Sequence, residues 1–282
     1  MPKTKVYVIK RKSKETVQDV VTRTLKSIPL KNFITNSEKR ILINPNWVCS
    51  DHSDTGNVTS TETLEGIILY LLNEAMINPE KIIVADGGEL GASSYEVVLK
   101  NNNVSKLEEY GIEVRDLNSD IMIENVNVSG PLALKTVNIA KTAMDASCII
   151  SVPSLKTHSM AETTLSMKNM MGTILPKGIM HSSLHKKIAD LVSVLRKKMK
   201  FQIIDGIIGS NGFELGGSPV KMDLIIAGED PVAVDTIGSK IIGYDQNTVK
   251  YLTYAEKKGL GTAELENIEI IGKQIPEVYH KF

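Results

Sequence analysis

The chain has 282 residues, of which 42% are hydrophobic and 23% charged, with ten prolines and two cysteines. That length suits one large α/β domain or two ordinary ones, and the composition excludes a disordered, collagen-like or disulfide-stapled chain. Basic and acidic residues both number 33, so no net field favours nucleic-acid phosphates or anionic lipid; the expected partners are small molecules or proteins, not nucleic acid or membrane.

In chain order, Lys5–Lys10 reads as a strand, Glu15–Ser27 as a helix and Arg40–Asn44 as a strand running into a polar loop, Pro45 to Val58. Thr59-Ser-Thr-Glu62 has capping-box spacing just before the apolar positions Leu64, Ile67, Ile68, Leu71 and Leu72, which predicts a helix. Lys81–Ala85 is a third strand ending in Asp86-Gly87-Gly88-Glu89, with Ser93 or Ser94 placed to cap the helix carrying Val97, Val98 and Leu99. Ile112 to Ile139 alternates more and contains strand-like Ile121–Val128 and Leu132–Val137, an antiparallel excursion or small lobe.

Ser147–Val152 is an apolar strand that stops at Pro153 and opens a chemically dense segment, Leu155 to His185. A helix over His185–Lys200 follows; its basic end, Leu195–Lys200, suits the negative end of the helix dipole. Next come a strand at Phe201–Asp205, a glycine-rich loop from Gly206 to Gly217, a strand at Asp223–Ala227, helices over Pro231–Ile242 and Thr248–Lys258, and a strand at Ile268–Ile271. This alternation predicts an α/β fold with a mostly parallel, doubly wound sheet in one compact unit over residues 1–282, with the small antiparallel excursion at 112–139.

Cys49 and Cys148 form no Cys-x-x-Cys pair, so this chain's own cysteines cannot build an iron–sulfur cluster or a zinc knot, and a reducing cytoplasm is the expected compartment. The first residues lack the apolar core of a signal peptide, and no apolar run reaches the ~20 residues that cross a bilayer.

In open α/β sheets ligands bind beyond the carboxyl ends of the strands. Four polar loops are predicted there: Asn44-Pro-Asn46 through Asp51–Asp54, Asp86-Gly87-Gly88-Glu89, Lys156-Thr157-His158, and Asp205-Gly206. From the third onward, Lys156, His158, Lys168 and Asn169 fall within the short segment Lys156–Gly172 after a strand. A neutral imidazole can take a proton or bind a metal, and a desolvated lysine can act as base or nucleophile; the alternative is that all four are solvated surface residues. His181 and His185, four apart, could share a helix face as ligands of a divalent transition metal. Gly87-Gly88-Glu-Leu-Gly91 lacks the spacing of a dinucleotide fold, and Gly212–Ser218 has P-loop glycine spacing but Ser218 where the lysine must stand. Asp230 suits the cap of the helix that Pro231 starts, whereas Asp235 lies among Val234, Ile237 and Ile241 and needs a partner, either Lys168 or a loop amide.

The ordered set Asp145-Ala-Ser-Cys-Ile-Ile-Ser-Val-Pro-Ser-Leu-Lys156-Thr-His158, Ser166-Met-Lys168-Asn169-Met-Met-Gly172, Ile204-Asp205-Gly206, Gly216-Gly217-Ser-Pro219 and Asp230-Pro-Val-Ala-Val-Asp235 resembles the domain of unknown function 362 family, from about Ile41 to Gly272. Many members carry a four-cysteine ferredoxin-like extension, which this chain lacks. More distantly, the order of elements is similar to the N-terminal lobe of the nickel-dependent lactate racemase catalytic subunit. There a histidine precedes by ten positions the lysine that holds a nickel-pincer nucleotide, and a later histidine ligates the metal. Here His158 and Lys168 are ten apart, and His185 lies 17 further on. Thr163–Met167 replaces the glycine-rich run of the racemases, and their arginine-proline signature has no counterpart in Asp51–Thr61.

The sequence thus points to an enzyme acting on a small polar or anionic metabolite by racemase-, isomerase- or redox-like chemistry, with or without a metal. His158, Lys168 and Lys156 are its candidate catalytic residues. Asn44, Asp54, Asp86, Gly87, Gly88, Asn169, Asp205 and Gly206 are the candidate binding residues, and His181 and His185 the candidate metal ligands. The alternative is a non-catalytic ligand-binding or redox-assembly module that works with a separate ferredoxin-like protein; self-association is a further expectation.

Overall fold

The computed structural model describes residues 2–28, 34, 40–88 and 94–282. The amino half builds β1 (Thr4–Lys10), α1 (Val17–Lys26), β2 (Ile41–Pro45), α2 (Thr61–Asn73), β3 (Ile82–Asp86), α3 (Ser94–Asn101), β4 (Glu113–Asp116), β5 (Met122–Asn127) and β6 (Thr136–Ala140). Then follow α4 (Lys141–Asp145), β7 (Cys148–Val152), β8 (Ser154–His158), β9 (Glu162–Thr164), α5 (Ser166–Asn169), α6 (Leu184–Leu195), β10 (Met199–Asn211) and β11 (Ser218–Gly228). The chain closes with α7 (Pro231–Ile241), α8 (Lys250–Lys257), β12 (Ile268–Gly272) and α9 (Ile275–Val278).

The large sheet runs β12-β1-β11-β10-β7-β2-β3-β4. Five of these pairings are parallel; β11 alone runs against both of its neighbours. The expected mostly parallel α/β sheet is therefore present. Its strands are covered on both faces, which is why β2 and β7 read as unbroken apolar runs. Ile41 and Ile43 pack with Val21, Leu64 and Ile67 of α1 and α2, while the intervening Leu42 joins Ile188, Leu191 and Leu252 of α6 and α8 on the other side.

Several local expectations change. Thr59 does not cap α2; Ser60 does, its hydroxyl accepting the Thr63 N–H, while the Thr59 hydroxyl donates to the Val152 carbonyl. Of the 112–139 excursion, Glu113–Asp116 joins the main sheet beside β3, and only β5 and β6 form a separate antiparallel pair. The helix expected over His185–Lys200 ends at Leu195, and the cationic run divides: Arg196 bonds the Leu260 carbonyl, whereas Met199 and Lys200 begin β10.

The largest correction concerns Gly206–Gly217. Its first half is not a loop but the far half of β10, which pairs with β11 and β8, so only Gly212–Gly217 turns. No helix follows that turn, which removes the P-loop likeness. Of the two candidate caps, Ser94 is the first residue of α3, and Ser93 lies outside the described residues, as do the loop residues Glu89 and Gly91.

Candidate active site

Beyond β2 the chain runs outward through β3 and β4, whereas β7 flanks β2 on the other side, so the strand order reverses between β2 and β7. Ligands of open α/β sheets bind at such reversals, beyond the carboxyl ends of the strands. A cleft of about 380 Å³ opens there, walled by Asn46 and Val48 after β2, Asp86-Gly87-Gly88 at the end of β3, His158 and Thr164 of the β8–β9 hairpin, and Lys168 and Asn169 of α5. Gly172, Lys177, His181, Glu214 and the apolar Met160 and Leu215 are among its other lining residues.

The floor is an amide network. Asn169 Nδ2 donates to the Asn44 and Pro45 carbonyls at 2.9 and 3.2 Å, and its Oδ1 accepts Asn46 Nδ2 at 2.9 Å. Asn44 Nδ2 in turn donates to the Ala85 carbonyl and to Asp86 Oδ1, and the Trp47 N–H donates to Asp86 Oδ2 at 2.8 Å. Burial raises the Asp86 carboxyl above its usual range, against the opposing pull of the Trp47 amide and the Lys177 charge. Asn44 is wholly buried and acts from beneath the floor.

Lys168 stands above this floor with no hydrogen bond from its ammonium among the described residues. Burial, reinforced by the nearby charge of Lys156, lowers its pKa to about 7, so an appreciable fraction is a neutral amine at physiological pH. Its place is set by Asp235, fully buried in α7, whose carboxylate accepts the Ser166 and Met167 amides at 2.8 and 2.9 Å. Of the two partners expected for Asp235, the loop amides are the ones found.

His158 has one ring nitrogen committed: Nδ1 accepts the Met160 and Ala161 amides at 3.0 and 3.3 Å. An acceptor Nδ1 means a neutral ring with its proton on Nε2. Burial and then the Lys168 charge push this imidazole well below its usual range. Glu214, on the β10–β11 turn, holds the hairpin over the cleft by accepting the Ser159 amide and hydroxyl. Burial would raise its carboxyl, but these bonds and its own amide keep it low, hence ionised.

The structure therefore brings together His158, Lys168, Asn169, Asp86, Gly87, Gly88 and His181. It does not place the others there. Lys156 is buried behind the cleft, donating to the Asn57 carbonyl at 2.7 Å and to the Glu214 carbonyl at 3.4 Å, so it braces the hairpin. Asp205 accepts the Ser60 amide and hydroxyl and anchors the start of α2; Gly206 is strand. Asp54 sits in an exposed turn beside His52.

His185 also lies elsewhere, because its Nδ1 accepts the Tyr251 N–H at 3.2 Å and its ring stacks on Tyr251. Sequence reasoning passed over Lys177, Thr164 and Asn46 as individual site residues. The signal for Asn46 was its place in Asn-Pro-Asn at a strand end; Lys177 and Thr164 carried none.

Among the described residues no three His, Cys, Asp or Glu side chains converge as a metal site. The donor set implied for a nickel-pincer nucleotide is not assembled, since His158 and Lys168 share the cleft and His185 is turned to Tyr251. The residues present do not fit that group. No helix among the described residues is long and apolar enough to cross a membrane.

The chain is 24% identical over 243 residues to the thylakoid-associated protein sll1697 of Synechocystis sp. (strain ATCC 27184 / PCC 6803 / Kazusa), a match covering 83% of this chain and 72% of that protein. Among solved structures it is similar to the lactate racemase apoprotein from Thermoanaerobacterium thermosaccharolyticum, at 14% identity and a TM-score of 0.45. That match covers 81% of this chain but about half, 54%, of the racemase chain. Residues 41–240, which hold the whole cleft floor together with Lys168, His158 and Asp235, match the Domain of unknown function (DUF362), and the chain belongs to that family.

Proposed function

We propose that this protein is an enzyme that binds a small polar or anionic metabolite in the cleft and moves a proton on it, as racemases and isomerases do. The observation that carries this reading is the pairing of Lys168, half-buried, unbonded among the described residues and with a pKa near 7, with a neutral His158 whose tautomer is set by two backbone amides.

Each group suits one half of a proton transfer. A general base works best with a pKa near the working pH, and Lys168 meets that condition. The Nε2–H of His158 is a neutral donor for the oxygen on which charge develops, and the Lys177 ammonium adds positive charge on the wall formed by Gly87. Gly87 and Gly88 keep that wall low: a Cβ on Gly87 would fall 2.5 Å from the Gly172 carbonyl oxygen, and one on Gly88 2.5 Å from that of Trp47.

Solvent exchange tests this whichever metabolite is the substrate. The protein is incubated in D₂O with a panel of small carboxylates and carbonyl compounds, and loss of the carbon-bound proton is followed by NMR. Exchange into at least one compound, abolished by Lys168→Ala and by Lys168→Arg, is expected. Exchange that survives Lys168→Ala would remove Lys168 as the base.

A further inference from the structure

Asn46 is fixed at every point but one. Its N–H donates to the Thr59 hydroxyl at 2.8 Å and its carbonyl accepts the Thr59 N–H at 3.0 Å. Its side chain is oriented through Asn169, whose Nδ2 must face the carbonyls of Asn44 and Pro45 and whose Oδ1 must therefore face Asn46. Asn46 answers with its Nδ2; turned the other way, the two amides would meet oxygen to oxygen.

The consequence is an acceptor with nothing to accept from. No protein group among the described residues reaches Asn46 Oδ1, although the residue is only 8% exposed and lines the cleft. Thr164 Oγ1, on the same cleft and 2% exposed, is likewise without a protein partner there. Buried polar groups in folded proteins are almost always hydrogen-bonded, and those that are not call for an explanation. Here two of them share the wall of one cleft, beside the lysine proposed above as the base.

We propose that Asn46 Oδ1, with Thr164 Oγ1, recognises a hydrogen-bond donor on the bound molecule. The cleft thus takes a small anion bearing an O–H or N–H group next to its anionic end and rejects the analogue without one. The inference rests on the anion-binding reading above, in which the Lys177 ammonium supplies positive charge, to which the protonated fraction of Lys168 adds. A site that hydrogen-bonds a ligand hydroxyl or amine discriminates strongly, because the donor-free analogue leaves the buried acceptor unpaired.

The test is a titration of the full chain with acetate, glycolate and glycine, followed by NMR. The three probes share a carboxylate and carry no donor, a hydroxyl and an ammonium group respectively. Glycolate or glycine should bind about tenfold or more tighter than acetate, and whichever of the two is the tighter identifies the donor as hydroxyl or amine. In Asn46→Ala and in Thr164→Val that preference should shrink toward unity while acetate affinity holds.

Thr164→Val removes an unpartnered buried hydroxyl and leaves the fold intact, so it carries the test if Asn46→Ala does not fold. Equal affinity for all three probes in the parent protein, as when a water serves the acceptor, overturns the inference and leaves the anion cleft standing. Failure of Lys168→Ala to weaken any probe, or failure of all three to bind, overturns the anion reading and this inference with it.

Discussion

Asp235 in α7 and Lys168 in α5 are linked through the backbone. The carboxylate receives the two N–H groups that begin the turn, and that turn sets where the lysine stands. With only four residues, α5 is too short to hold itself, so its geometry depends on this remote anchor.

Asp235→Ala leaves two buried amides without an acceptor and should cost about 2–4 kcal/mol, whereas Asp235→Asn keeps one acceptor oxygen and should cost about 1–2 kcal/mol. Both should weaken carboxylate binding by displacing Lys168. Urea unfolding of the three proteins checks the ranking; equal stability of parent and Asp235→Ala would show that the turn holds without the anchor.

The pH dependence of stability should carry opposite signs on either side of neutrality. Burial raises Asp235 to about 7, so between about pH 4 and 7 the folded chain holds the extra proton and this group's stabilisation is lost as pH rises. Lys168 is lowered from 10.5 to about 7, so between those values the unfolded chain holds the extra proton and stability rises with pH. Replacing Lys168 by Met should flatten the upper window by on the order of 1–3 kcal/mol, a figure reduced from the full shift because the residue is partly open to the cleft. Denaturant melts at pH 7.5 and 9.5 measure it, and an unchanged difference would mean that the lysine is solvated.

His158 should stay neutral from pH 5 to 8, with the proton on Nε2, because two amides hold Nδ1 as an acceptor. Nitrogen-15 NMR of labelled histidine reads both points directly. A midpoint near 6.5 would place the ring in solvent. His158→Ala should abolish turnover and lower the melting temperature by only a few degrees.

Gly172 and Asp86 meet so closely that a Cβ on Gly172 would lie 1.8 Å from Asp86 Oδ1. Asp86 cannot swing aside, because Asn44 and the Trp47 amide hold both of its oxygens. Gly172→Ala should therefore destabilise by about 1–3 kcal/mol and disturb the cleft floor. Gly178→Ala, where nothing lies within 4 Å, should be silent. Equal melting temperatures for the two variants would refute the contact.

The alternation of β-branched runs with helical periods is a local property of the chain, and the α/β class, most strands and the helix started by Asp230 and Pro231 were legible from it. So was the density of Lys156, His158, Lys168 and Asn169, because four polar residues after a buried strand stand out in one dimension. What could not be read is which of them share a space. Lys156 and Lys168 look alike in sequence, yet one reaches back to the carbonyls of Asn57 and Glu214 and the other opens on the cleft, a difference set by the path of the β10–β11 hairpin.

Gly206 and Gly209 read as loop for the same reason. Their lack of a side chain answers a close approach, with Leu224 and Leu155 backbone oxygens 3.0 and 2.8 Å from where a Cβ would stand, and that crowding exists only after the strands have paired. His185 suggested a ligand and became a packing partner of Tyr251, 66 residues away in sequence. Residue type and spacing determined which groups this protein has for chemistry. The order of strands around β2 and β7 decided which of them meet, because hydrogen bonds and burial between distant segments follow the closure of the sheet and leave no mark on the local pattern.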